Sequence, residues 1–92
     1  MKVRVLYTTQ LKMALGLAGE DVILHDGGTL AQLVEQLSQR HGARFRNLMV
    51  DGQGKLLPSI LLCLGDEQAI DGTSLRLSDG DEVTILSAIS GG

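Results

Sequence analysis

Few residues of this chain belong to the types that commonly do chemistry, and most of those are poorly placed for it. The single cysteine, Cys63, lies in the apolar run 60–64. A nucleophilic thiol needs an exposed, electropositive setting, so this position predicts a buried and inert side chain. His25 and His41 lie in separate segments without a cysteine or carboxylate at ligand spacing. The pattern therefore predicts no metal site.

Acidic residues and an internal glycine pair form a second group of candidates. Asp79, Asp81 and Glu82 resemble a set of paired carboxylates, but a solvated turn before a strand explains them more simply. Gly27 and Gly28 precede a predicted helix, yet neither G-x-G-x-x-G nor G-K-[ST] is present. A phosphate-binding loop is therefore not predicted.

The remaining candidates are the last two residues, Gly91 and Gly92. Glycine makes up about 7% of average protein sequences, so such a pair is uncommon at a C-terminus. The pair follows the predicted last strand after only a few residues, where no capping or packing role is left for it. Glycine can thread a narrow channel because it lacks a Cβ atom. A frayed end without function is the alternative interpretation.

Alternation of apolar and polar residues predicts the strands that must position these groups. The run 60–64 is apolar on both faces, which indicates a central strand. Residues 10–19 fit neither the strand nor the helix period and are predicted to form a connection with about one helical turn. The predicted strands cover residues 2–8, 21–25, 60–64 and 83–86.

One amphipathic helix follows the second strand. Thr29 and Gln32 form a T-x-x-Q capping box, which satisfies two free backbone donors at a helix start. Gly42 lies where a left-handed C-terminal cap is expected, and residues 43–58 suit a linker or sheet edge. The stripe predicted to pack on the sheet consists of Leu30, Leu33, Val34 and Leu37.

The order of elements is strand, strand, helix, strand and a last strand after turn-rich chain. A hairpin followed by a helix that crosses to the other half of the sheet gives an α+β protein of the β-grasp type. We expect a mixed sheet of four to five strands with one main helix packed across it. Residues 1–87 are predicted to form this domain, and residues 88–92 a flexible C-terminal tail.

Composition narrows the function classes. The chain has 92 residues, 43% of them apolar, and a formal net charge of -3. Basic residues are scattered, which argues against nucleic acid as a partner. No apolar run has the length of a membrane span, and no signal peptide is evident. A lone cysteine agrees with a reducing compartment, so we expect a cytoplasmic protein that does not bind membranes.

Three segments together resemble a known family. They are the turn Asp79-Gly80-Asp81-Glu82-Val83, the strand Thr84-Ile85-Leu86 and the ending Ala88-Ile89-Ser90-Gly91-Gly92. This combination is similar to the C-terminal signature of the MoaD/ThiS-type sulfur carriers, which are ubiquitin-like β-grasp proteins. That group includes the small subunit of molybdopterin synthase and the sulfur carrier of thiamine biosynthesis. The opening of the chain and its capped helix agree with the same family in kind and order.

The resemblance implies a function for the terminal glycines. It implies that the Gly92 carboxylate, with Gly91 beside it, is adenylated by a ubiquitin-activating-like adenylyltransferase that uses ATP. A sulfur donor, a sulfurtransferase or desulfurase, then converts the adenylate to a thiocarboxylate. A sulfur-accepting synthase is the third implied partner. The chain itself is expected to be a carrier without a bound cofactor, not an enzyme.

Alternation also predicts where partners bind. If Val83 and Ile85 face the helix, neighbouring leucines face outward and form an apolar cluster larger than solubility requires. A second copy of the chain is the alternative occupant of this surface. The predicted docking residues are Leu6, Leu62 (or Leu64 in its place), Leu86 and Ile89.

Two other functions stay open at this point. The chain could be a ubiquitin-like modifier joined through Gly92 to lysines of other proteins, or a non-covalent β-grasp binding module. Sulfur on the C-terminus would identify the carrier, and lysine conjugates would identify the modifier. For a carrier, the acceptor could be a molybdopterin precursor, a thiazole precursor of thiamine, activated serine for cysteine synthesis, or a tRNA base.

Overall fold

A computed structural model of the protein describes residues 1–69 and 74–87. The strands in these ranges are β1 (Lys2–Tyr7), β2 (Gly19–Ile23), β3 (Ile60–Leu64), β4 (Glu67–Gln68) and β5 (Glu82–Ser87). The helices in the same ranges are α1 (Thr9–Leu15), α2 (Leu30–His41) and α3 (Ala43–Met49). None of these described helices is both long and apolar enough to cross a bilayer.

The five strands form one sheet in the order β2-β1-β5-β3-β4. β1 and β5 run parallel, whereas the other neighbouring pairs are antiparallel. A parallel pair needs a long crossover connection, and the chain between β1 and β5 includes all three described helices. This mixed sheet, with α2 packed on one face, confirms the predicted β-grasp fold.

Helix α2 begins where its sequence signals predict. The Thr29 hydroxyl accepts a hydrogen bond from the backbone N–H of Gln32 at 3.3 Å, and the Gln32 side chain accepts one from the N–H of Thr29 at 2.9 Å. This is the predicted capping box. The helix ends at His41, so its predicted bounds are confirmed. Its buried apolar stripe also agrees with the prediction and consists of Leu30, Leu33, Val34 and Leu37.

The core between the sheet and the helices is mainly aliphatic. Its strand side chains with 0% exposure are Val3, Val5, Val22, Val83 and Ile85. The two aromatic residues of the chain, Tyr7 and Phe45, are 3% and 0% exposed. Their rings meet edge to face with centroids 6.5 Å apart, a favoured arrangement for aromatic pairs.

The two shorter helices differ from the sequence prediction. α1 makes about two turns rather than one, and its Leu11 is fully buried. α3 occupies part of the segment predicted to be a linker, and it buries Phe45 and Met49. Neither helix has a side-chain hydrogen bond at its N-cap. The signal that identifies α2 is therefore missing from both.

Gly42 joins α2 directly to α3. Its φ of 76° and ψ of -155° are not the left-handed cap that the sequence predicts. These angles belong to a region that is open almost only to glycine. Gly42 therefore permits an abrupt change of direction between two helices, instead of ending one helix in a loop.

Side chains from α2 cover the free edge of β2. The Gln36 side chain donates from Nε2 to the Ile23 carbonyl at 2.9 Å, and Arg40 Nη1 donates to the Asp21 carbonyl at 3.3 Å. Gln36 and Arg40 lie one turn apart on the same side of the helix. They therefore satisfy two successive outward carbonyls of an edge strand.

Candidate functional site

The candidate reactive residues, Gly91 and Gly92, lie outside the described residues, as does Ile89. The division of the chain into a domain and a tail stays a prediction for the same reason. The described chain before them ends at Ser87, the last residue of β5. Because β5 pairs with β1 on one side and β3 on the other, the chain approaches residue 88 from the interior of the sheet.

The face of the sheet opposite the helices, called the open face below, has an apolar centre. Its side chains come from β1, β3 and β5 and are Leu6, Leu61, Cys63, Thr84 and Leu86. The register pairs Leu61 with Leu86 and pairs Thr84 with both Leu6 and Cys63. Leu61 is 39% exposed, and the other four are half-buried. Leu6 and Leu86 therefore lie on the predicted face, although neither is fully exposed.

The predicted bounds of β3, residues 60–64, are confirmed, but the docking residue predicted on this strand is wrong. Leu62 is 4% exposed and belongs to the core, where its register partner is Ile85. Leu64 also packs against the core and pairs with Val83. Leu61 takes the position on the open face that the sequence analysis gave to Leu62. The strand is apolar at every position, so alternation could not show which set of side chains faces the helices.

Cys63 differs from its prediction for the same reason. Its side chain is half-buried on the open face rather than buried in the core. It lies between Thr84 of β5 and Gln68 of β4 in the register. The thiol therefore belongs to the surface that we consider for docking, where it can report on contact with a partner.

Charged side chains border the apolar centre toward the β2 edge. Lys2 Nζ and Arg4 Nη1 approach the Asp21 carboxylate at 3.5 Å and 3.3 Å. Ile23, next to them on the same face, is 64% exposed. An apolar patch with a polar rim is typical of a protein-interaction surface.

A polar cluster that the sequence analysis missed joins β1, β2 and α2. The Glu20 carboxylate accepts hydrogen bonds from the Tyr7 hydroxyl at 2.5 Å and from Arg40 Nη1 at 2.7 Å. His41 Nε2 lies 2.5 Å from the same carboxylate. The side chains of Glu20 and His41 are only 13% and 15% exposed. Alternation places Glu20 on the same face of β2 as Val22, toward the helices. A charged residue on a buried face was the sequence signal that could have predicted this cluster.

Burial and hydrogen bonding shift the titration of this cluster. Burial opposes ionisation of Glu20, but the hydrogen bonds from its three partners outweigh that effect and hold its pKa below the usual 4.5. Burial raises the pKa of Tyr7 far above its usual value, and the hydrogen bond to Glu20 raises it further. A general acid or base works best with a pKa near the operating pH. Glu20 and Tyr7 are both shifted away from neutrality, so the cluster has the properties of a structural link.

Other candidates from the sequence have ordinary structural roles. The Asp79 carboxylate accepts a hydrogen bond from the backbone N–H of Lys2 at 2.7 Å, and Asp81 accepts one from the N–H of Ser78 at 2.7 Å. These contacts confirm a turn before β5. His25 is exposed. Within residues 1–69 and 74–87, no group of three His, Cys, Asp or Glu side chains is arranged to hold a metal.

Comparison with protein families gives a match over nearly the whole chain. The model of the ThiS family matches residues 5–92, a range that includes the open-face residues and both terminal glycines. Comparison with curated proteins gives no match. The assignment of this chain to a family therefore depends on the match to the family model.

Solved structures with the same fold belong to small ubiquitin-like proteins. SAMP1 from Haloferax volcanii has a TM-score of 0.90 and 18% identity, with 100% of both chains covered. Urm1 from Trypanosoma brucei has a TM-score of 0.80 and 24% identity, with 99% of this chain and 95% of that chain covered. These two likenesses establish the fold.

A third structure is more similar in sequence. It comes from the BexX/CysO complex of Amycolatopsis orientalis, with 27% identity and a TM-score of 0.74. The match covers 98% of this chain and 99% of that chain. The two chains therefore align over nearly their whole length.

Proposed function

The chain belongs to the ThiS family, and on this basis we propose that it is a sulfur carrier that acts through the Gly92 carboxylate. In the first step, a carboxylate oxygen attacks the α-phosphate of ATP in an activating enzyme, and pyrophosphate leaves. In the second step, hydrosulfide supplied by a sulfur donor attacks the acyl carbon, and AMP leaves with the bonding electrons. The resulting thiocarboxylate donates its sulfur to an acceptor bound by a partner synthase.

The observation that carries this proposal is the extent of the family match, which reaches the terminal glycine pair. A free carboxylate is a poor electrophile, so activation is needed before sulfur can be attached. A pair of glycines suits entry into a partner's narrow active site because neither residue has a side chain that could clash with the walls. ATP and a reduced sulfur donor are available in the cytoplasm, where we place the reaction.

The open face supports the proposal because a carrier needs a surface on which its partners dock. Its centre is formed by Leu6, Leu61, Cys63, Thr84 and Leu86, and β5 runs through it. A partner on this face would therefore contact the strand that leads to residue 88. The similar CysO chain was solved in a complex with BexX, which is consistent with a protein partner for this fold.

Mass spectrometry of the intact protein tests the proposal. The native chain is incubated with ATP, its activating enzyme and a sulfur donor. We expect a mass increase equal to the difference between sulfur and oxygen, localised to Gly92 by fragmentation. A protein that gives neither adenylate nor thiocarboxylate with a competent activating enzyme would overturn the carrier function. Conjugates through lysine, without thiocarboxylate, would identify a modifier instead.

A variant without Gly92 is the matched control. Removing one residue moves the terminal carboxylate by up to about 3.5 Å. Reacting groups tolerate much less displacement than that. We expect normal folding and no sulfur loading. A loaded deletion variant would show that the position of the carboxylate is not decisive.

A further inference from the structure

Two threonine hydroxyls hold the end of β5. Thr8 Oγ1 donates to the Ile85 carbonyl at 3.0 Å, and Thr9 Oγ1 donates to the Ser87 carbonyl at 3.2 Å. The hydroxyl oxygens of Thr9 and Ser87 are also within hydrogen-bond distance, at 2.5 Å. We call Thr8 and Thr9 the threonine clamp. It acts on the last described residues before 88–92.

The clamp continues the pairing of β1 with β5 beyond the end of β1. The backbone register of these parallel strands ends with Tyr7 opposite Ile85. On its other side, Ser87 pairs with Ile60 of β3. Ser87 is only 9% exposed. The end of β5 is therefore held from both sides, by strand pairing on one and by threonine hydroxyls on the other.

Thr9 has a strained backbone. Its φ of 44° lies in the left-handed region, which a β-branched side chain rarely enters. Such a conformation persists only where surrounding contacts impose it, and these outliers cluster at functional sites. The hydrogen bonds to Ser87 are contacts of this kind.

We propose that Thr8 and Thr9 are positioning residues that fix the point and direction in which the chain leaves β5 toward Gly92. This inference rests on the proposed function. Five residues separate Ser87 from the carboxylate, an extended reach of about 17 Å. If Ser87 is displaced, the residues that follow it enter a docked partner at a different point. Misplacement of reacting groups by about 1 Å can cost on the order of 100-fold in rate. Because rotation about the backbone bonds of five intervening residues can offset part of such a displacement, we expect a smaller effect.

The test uses Thr9→Val, which keeps the β-branched shape and removes the hydroxyl. Adenylation is measured with the activating enzyme over a range of carrier concentrations. We expect kcat to fall about tenfold with KM nearly unchanged, because the docking surface is intact and only the reactive placement is lost. Ser87→Ala should behave similarly but more weakly, since the Ser87 carbonyl remains. Thr9→Ser keeps the hydroxyl and should restore kcat.

Thr29→Ala controls for general loss of stability. It also removes a threonine hydroxyl bond, but at the start of α2 rather than at the end of β5. It should leave kcat unchanged. Backbone 15N relaxation at Ser87 provides a readout that does not depend on the enzyme. We expect its order parameter to fall in Thr9→Val and not in Thr29→Ala.

The outcomes separate this inference from the proposed function. Native protein that is never loaded overturns the carrier function and, with it, the role of the clamp in loading. Native protein that loads, with Thr9→Val unchanged in both kcat and Ser87 order, overturns the clamp alone. An equal fall of kcat in Thr29→Ala would also overturn it, because the effect would then follow stability rather than placement.

Discussion

The two faces of β5 differ in their side chains and in their surroundings. Val83 and Ile85 are fully buried beneath the helices, whereas Thr84 and Leu86 on the open face are half-buried. Folding alone explains why Val83 and Ile85 are apolar, because burial of apolar side chains is the main favourable contribution to the free energy of folding. None of the helices described in residues 1–69 and 74–87 packs against the open face. Its apolar content is consistent with the proposed docking of a partner, and for this reason we expect the two faces to respond differently to substitution.

The largest effect is expected for Ile85→Asp. An unpaired carboxylate at a fully buried site must be desolvated without compensation. We expect a loss of more than about 4 kcal/mol in the free energy of unfolding, at the limit of what a small domain tolerates. Urea denaturation measures it, or circular dichroism if no folded protein remains. A stable, fully folded variant would mean that the two faces of β5 are exchanged.

Glu20→Gln should have the next largest effect. Glu20 lies on the helix-covered face, where a charge is tolerated only because Tyr7, Arg40 and His41 satisfy it. Glutamine cannot accept the same set of donors, so we expect a loss of about 1–3 kcal/mol at pH 7. Glu35→Gln is the control, since the Glu35 side chain is 62% exposed and 3.9 Å from Arg46. Equal stability of the two variants would contradict a role for the buried cluster.

The same variant should change the pH dependence of stability. The pKa of Glu20 is lower in the folded protein than its usual 4.5. Its contribution is therefore fully present above pH 4.5 and is lost as the pH falls through the folded-state pKa. Urea midpoints measured from pH 7 down to pH 3 should fall more steeply for the native protein than for Glu20→Gln. Parallel curves would show that Glu20 does not contribute to acid sensitivity.

Leu86→Asp should have a small effect on stability and a large effect on binding. The side chain is half-buried on the open face, so we expect a loss within about 1 kcal/mol. Affinity for the activating enzyme should fall sharply, since a carboxylate replaces an apolar contact. Isothermal titration calorimetry measures it, with Gln39→Asp on the helical side as the charge-matched control. Unchanged affinity would remove this part of the open face from the docking surface.

The smallest perturbation is chemical labelling of Cys63. Its half-buried thiol on the open face should react with a maleimide in the native protein, although more slowly than in urea. Added activating enzyme should slow labelling of Cys63 in proportion to the fraction of carrier that is bound, with the greatest protection at saturation. Labelling that does not respond to the partner would place the docking surface elsewhere.

The parts of the fold that could be predicted from the sequence are those where a short segment has an unambiguous pattern. The Thr29 capping box and a stripe at helical spacing defined α2 from residue 30 to 41. In β1, Val3 and Val5 alternate with Lys2 and Arg4, so the buried face was evident. Where polar and apolar residues separate clearly, the requirement to bury one set leaves a single arrangement.

The rest depended on information that no short segment contains. β3 is apolar on both faces, and α1 and α3 lack side-chain caps. The Glu20 cluster joins four residues from three elements, and the threonine clamp spans 77 and 78 positions of sequence. Such contacts become visible only once the strands are paired. The terminal glycines were identified from their rarity and position at the end of the sequence, and the family resemblance implied their function; no feature of the packed domain indicated either.

The covered edge of β2 has a consequence for how this small protein behaves in a crowded cell. An exposed edge strand is a template on which another chain can add a strand, and this route leads to aggregation. Gln36 and Arg40 occupy the Asp21 and Ile23 carbonyls that an incoming strand would need. Strand addition at this edge must first break both contacts. The same two side chains also steer partners that bind by strand addition away from β2.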